Sequence, residues 1–124
     1  ASATAIEAMA KLMSLGDNVS SLDVYNMAVD GNERARVVFQ CMGTALGTAL
    51  AMLINIFNFP LYLLSGGALP AWDFFAPAMI AEIEKRSFTY RNAKTQIERA
   101  TLGNQAGLFG AAYLPFQAQQ LKNR

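Results

Sequence analysis

The residues best suited to chemistry are Ser65-Gly66-Gly67-Ala68, directly after the apolar tetrad Leu61-Tyr62-Leu63-Leu64. A buried strand that ends in a glycine pair lets backbone approach a ligand closely, because no Cβ stands between them. No charged residue lies between Arg36 and Asp73. Recognition at this turn would therefore rest on contact area and backbone hydrogen bonds rather than on ion pairing. The same two glycines would also make an ordinary β-to-α turn, and the residues alone leave both readings open.

Other side chains exclude more than they offer. The 124 residues contain no histidine, which rules out His-ligand metal sites and every His-based triad within the chain. Cys41 is the single cysteine, so no internal disulfide can form and a reducing compartment is expected. The nine acids are Glu7, Asp17, Asp23, Asp30, Glu33, Asp73, Glu82, Glu84 and Glu98. None sits in a motif that marks a catalytic base, and each reads as a capping or solvated group. A net charge of +1 points to no nucleic-acid stripe and no acidic tail. With 53% hydrophobic and 15% charged residues, the chain has more apolar surface than a free-standing domain of its size needs. Part of that surface is expected to face something else.

The elements that would position the turn follow from pattern. Ile6, Met9, Ala10 and Met13 share one face of a first helix, with Glu7 and Lys11 opposite and Gly16 as its stop. Ser21 is expected to cap a short second helix that Gly31 ends, and Asn32 to open a third running to about Phe57. Pro60 prevents its continuation, and Leu61 to Leu64 read as a strand apolar on both faces. Pro70 to Phe75 suggest a helical turn, with the next helix starting at Pro77 and turning Met79, Ile80 and Ile83 inward. Thr95 to Ala100 read as a second strand, and Asn104 as the cap of a last helix, Gln105 to about Gln120, bent at Pro115. The opening Ala1-Ser2-Ala3-Thr4-Ala5-Ile6 already reads as helix, without signal-peptide charges, and looks like a cut edge.

Val37 to Phe59 is long enough to cross a bilayer, and Gly43 to Gly47 form a GxxxG match. Nine strong apolar residues would contribute roughly −4 kcal/mol to insertion. The amides of Gln40 and Asn55 would each cost several kcal/mol if left unpaired, so the sum is near zero. The stretch is read as a core helix buried on most sides, with Gly43, Gly47 and Ala51 letting another element pack close.

Four stretches in this order resemble the C-terminal half of the ROK family of sugar kinases and sugar-responsive repressors. Ala1-Ser2-Ala3-Thr4-Ala5-Ile6 resembles the Ala-Ser-Gly-Thr-Ala helix that follows the family's zinc motif. Gly31-Asn32-Glu33-Arg34-Ala35 is similar to its Gly-Asp-x-x-Ala helix start. Leu46-Gly47, Ile54-Asn55-Ile56-Phe57-Asn58-Phe59-Pro60 and Leu63-Leu64-Ser65-Gly66-Gly67-Ala68 resemble its Asn-Leu-x-x-Pro-x-x-Ile-Val-Leu-Gly-Gly-Gly stretch. Ala100-Thr101-Leu102-Gly103-Asn104-Gln105-Ala106-Gly107-Leu108-Phe109-Gly110-Ala111-Ala112 is similar to its closing Leu-Gly-x-x-Ala-Gly-Leu-x-Gly-Ala-Ala. Ser65 departs from the family's first glycine, and Asn32 from its usual Asp.

The resemblance implies a helix-rich α/β fold over residues 1–124, the incomplete C-terminal lobe of a ribonuclease H-like, actin-type architecture. It implies an ATP-dependent sugar kinase as the longer parent, using ATP with Mg²⁺ on a hexose in the cytoplasm. Ser65, Gly66, Gly67 and Ala68 would then be the nucleotide-facing residues. It places the catalytic Asp, the phosphate loop and the zinc site upstream, in keeping with the missing histidines, and so expects no zinc site and no kinase activity in this chain alone. The N-terminal lobe of the same protein and a second copy are the expected partners, with sugar and ATP; no membrane is. A sugar-responsive repressor, with an upstream helix-turn-helix, is the alternative.

Overall fold

The computed structural model describes residues 2–100. In chain order they form α1 (Ser2–Leu12), α2 (Ser21–Val29), α3 (Glu33–Phe57), β1 (Leu61–Leu64), a 3-10 turn (Leu69–Ala71), α4 (Trp72–Arg86) and β2 (Gln96–Arg99). The turn expected at Leu102 to Asn104, the helix expected over Gln105 to Gln120 and the similarity stretch from Thr101 on lie outside the described residues.

The helix ends follow from backbone chemistry. α1 closes in a Schellman motif: the Leu15 amide donates to the Ala10 carbonyl (3.0 Å) and the Ser14 amide to that of Lys11 (3.2 Å). The left-handed residue there is Ser14 (φ 59°), two positions before the expected Gly16, because the chain must tuck Leu15 against the core. α2 is capped by Ser20, not Ser21. The Asp23 amide donates to Ser20 Oγ (3.1 Å), and the Ser20 amide donates back to the Asp23 carboxylate (3.0 Å), a complete capping box. Gly31 (φ 95°) ends α2 as expected. Asn32 caps α3 by accepting from the Ala35 amide at 3.1 Å.

The α3–α4 pair is the largest packed unit. α3 buries one face, carrying Ala35, Val38, Phe39, Gly43, Gly47, Leu50, Ala51 and Ile54. α4 meets it with Phe75, Ala76, Met79 and Ile83. The small-residue stripe does what its spacing suggested. An ideal Cβ on Gly47 would lie 2.5 Å from the Met79 carbonyl oxygen, and one on Gly43 would overlap that of Phe75. The burial is one-sided, not on most sides. Met52, Leu53, Ile56 and Phe57 stay exposed, and Phe59 beyond them stacks on Phe57 at 5.4 Å between ring centroids. Asn55 finds partners in the fold: it donates to the Arg86 carbonyl (3.2 Å) and accepts from Ser87 Oγ (2.9 Å), closing the end of α4.

Pro77 lies inside α4 instead of opening it. A proline there removes one backbone hydrogen bond and costs about 3 kcal/mol. Burial of Phe75 and Ala71 in the preceding turns offsets that cost, since one buried Phe contributes about 1.5–3 kcal/mol.

β1 and β2 pair in parallel, Leu61 opposite Gln96 through to Leu64 opposite Arg99. A parallel pair needs a long crossover, and α4 supplies it. Tyr62, Leu64 and Ile97 pack on the core while Gln96 and Glu98 face solvent. The result is the helix-rich α/β arrangement with a small parallel sheet.

Candidate functional site

The two glycines after β1 are not equivalent. Gly66 has φ 129°, a conformation that side-chain-bearing residues rarely adopt, so the turn itself requires glycine there. Gly67 has no such φ, and among the described residues an added Cβ would meet nothing within 4 Å. Neither strain nor packing explains why position 67 lacks a side chain. The turn is closed by the Leu69 amide donating to the Gly66 carbonyl (3.3 Å) and the Ala71 amide to that of Ala68 (2.9 Å).

A cavity of about 150 Å³ opens beside this turn. One wall is Gly67, Ala68, Pro70 and Ala71. The other comes from three helices: Ile6 of α1, Ser21, Leu22 and Tyr25 of α2, and Phe39 of α3. Among the described residues no charged side chain lines it. Its shape is held from behind by aromatic packing, with Phe74 stacked on Phe39 (5.9 Å) and edge-on to Tyr25 (6.1 Å). Arg36 ties these helices together: Nε donates to the Ala28 carbonyl (3.0 Å) and its guanidinium lies 5.6 Å from the Phe74 centroid.

Of the four residues expected to face a ligand, Gly67 and Ala68 line the cavity; Ser65 and Gly66 stand outside its lining and are exposed. Sequence reasoning missed the second wall. Nothing in the sequence marks Leu22 and Tyr25 of α2 as ligand-facing; the 64% exposure of Leu22 is visible only in the fold.

Several of the acids hold structural positions. The Ser20 amide and then the Ser20 hydroxyl hold the Asp23 carboxyl below its ordinary value. Glu82 pairs with Arg86, which lowers its carboxyl likewise, and Glu84 pairs with Arg91 at 3.0 Å. Burial, and behind it the Glu84 charge, pushes the Tyr90 phenol up. Among the described residues no three of His, Cys, Asp or Glu gather where they could hold a metal ion. The arrangement can enclose a flat apolar group and offer it backbone; it carries no proton-transfer pair.

Similar solved structures include two whose likeness spans most of this chain. The crystal structure of a "putative sugar kinase" from Cytophaga hutchinsonii is 30% identical, with a TM-score of 0.65, over 84% of this chain and 35% of that one. That of a ROK family transcriptional regulator, a homolog of the E. coli MLC protein, has a TM-score of 0.68 over 78% of this chain and 27% of that one. At 24% identity the second likeness is one of fold alone. The chain thus spans about a third of the length of the structures it matches. No curated protein matches it. A sequence model of the ROK family matches residues 1–118, nearly the whole length, and the chain belongs to the ROK family.

Proposed function

We propose that this chain is the nucleotide-facing part of an ATP-dependent sugar kinase, the C-terminal lobe of an actin-type fold whose N-terminal lobe lies elsewhere in a longer cytoplasmic protein. The observation that carries the reading is Gly67, a glycine that neither the backbone nor the packing requires, in the wall of an uncharged cavity. The cavity suits adenosine: an apolar floor, backbone polar groups on one side, and no Cβ at the point of approach. When bound, ATP with Mg²⁺ supplies the γ-phosphoryl for a hexose hydroxyl. The residues of this chain would hold and orient the base at Gly67 and Ala68, with Ser65 and Gly66 beside the exit towards ribose and phosphates. The proton acceptor is expected outside this chain, since no acid among the described residues lines the cavity. The fold likeness to a transcriptional regulator keeps a sugar-responsive repressor as the second reading.

In a longer protein carrying this chain, Gly67→Val should raise the KM for ATP much more than that for the sugar. Because the fold has room at position 67, the variant should stay folded. An unchanged KM for ATP in a folded variant would overturn the site assignment, and lost stability with both KM values unchanged would point to a shape role for the turn.

A further inference from the structure

Resting on the nucleotide reading, we propose that Leu22 is a further binding residue for the base, closing the cavity over one face of a purine ring from α2. Three observations meet at this residue. Leu22 is 64% exposed, so the core does not account for an apolar side chain there, yet it lines the cavity opposite Gly67 and Ala68. Its helix turn is fixed: the Ser20–Asp23 capping box sets the first turn of α2, where Ser21 and Leu22 sit. The space between the walls is about 150 Å³, against roughly 300–1,000 Å³ for sites that enclose a whole drug-sized ligand. An apolar cavity of about this size holds a single flat ring system, so ribose and phosphates must lie outside it. The base is then the only part of a nucleotide that Leu22 touches. Leu22 offers an apolar wall to the ring face, and Ser21 of the same turn also lines the space. Leu22 therefore contributes to holding the base and has no effect on how the phosphates are held.

The test measures binding of adenosine, ADP and ATP to the full 124-residue chain by calorimetry, for wild type, Leu22→Trp, Leu22→Ala and Gly67→Val. Circular dichroism checks folding, which an exposed leucine should not disturb. Leu22→Trp should fill the space and weaken all three ligands by the same factor, about tenfold or more. Leu22→Ala should weaken them by a smaller common factor, about threefold. If Gly67→Val weakens adenosine while both Leu22 variants bind it as wild type does, the nucleotide reading stands and the role of Leu22 is overturned. If the Leu22 variants weaken ATP but leave adenosine unchanged, the side chain serves the phosphates and the inference is also overturned. If wild type does not bind adenosine at all, both readings fall together.

Discussion

The same small substitution should have opposite effects at two glycines. At Gly47 in α3, alanine gains about 1 kcal/mol of helix propensity. Its Cβ, however, would stand 2.5 Å from the Met79 carbonyl oxygen and 2.9 Å from Glu82 Cβ, so α4 must move away. The nearest atom is backbone and cannot rotate aside. Overpacking costs typically about 1–3 kcal/mol, and a collision between helix backbones belongs at or above the upper end. Gly47→Ala should therefore lose about 2 kcal/mol net. At Gly67 nothing lies within 4 Å of the new Cβ and φ is not in the left-handed region. Gly67→Ala should gain about 0.4–1 kcal/mol by restricting the unfolded chain. Urea unfolding followed by circular dichroism at fixed protein concentration gives both numbers. A Gly47→Ala protein as stable as wild type would refute the close α3–α4 contact. A loss of stability at Gly67→Ala would show that the fold does need glycine there, removing the main support for a ligand.

Three further outcomes are expected. The folded Asp23 carboxyl lies below its ordinary value near 3.8, so the capping box adds stability that is complete above that value and fades as pH falls through the lowered one. The stability gap between wild type and Asp23→Asn, measured by urea unfolding from pH 6 downwards, should close on acidification; a constant gap would contradict the box. Among the described residues Thr95 Oγ1 is buried without a hydrogen-bond partner, so Thr95→Val should raise stability by about 1 kcal/mol, and a loss in the same assay would mean that the hydroxyl is satisfied. The exposed run Met52, Leu53, Ile56, Phe57 and Phe59 should drive self-association, which Ile56→Lys weakens; a monomer in sedimentation at tens of micromolar would contradict this.

The elements around the turn were legible because each is set by local chemistry. Asn32 caps, Gly31 allows a positive φ, and Leu61 to Leu64 form the expected strand. That strand is half-buried with Leu61 exposed, and not covered on both faces, because its sheet has only two strands among the described residues. The cap of α2 fell one residue off because Ser20 and Ser21 both carry the needed hydroxyl; only Asp23, three residues from Ser20, decides between them. Pro77 misled because a proline usually opens a helix, whereas here the burial of Phe75 recruits the turn before it. Half of the cavity was illegible for a different reason. Ser21 and Tyr25 line the same cavity as Gly67 across some forty residues of sequence, and only the tertiary packing of the helices brings them together. Glycine type at position 67 was visible, but that the fold leaves it unexplained is a fact of three dimensions.

The central claim, that adenosine lies against Gly67 and Ala68, is tested most directly by titrating ATP with Mg²⁺ into the isotope-labelled chain and following its backbone amide resonances. The account predicts saturable shifts largest at Gly67, Ala68 and Leu22, reproduced by adenosine alone at the same amides. Shifts that are absent there, or that centre on charged surface residues and vanish without the phosphates, would contradict it.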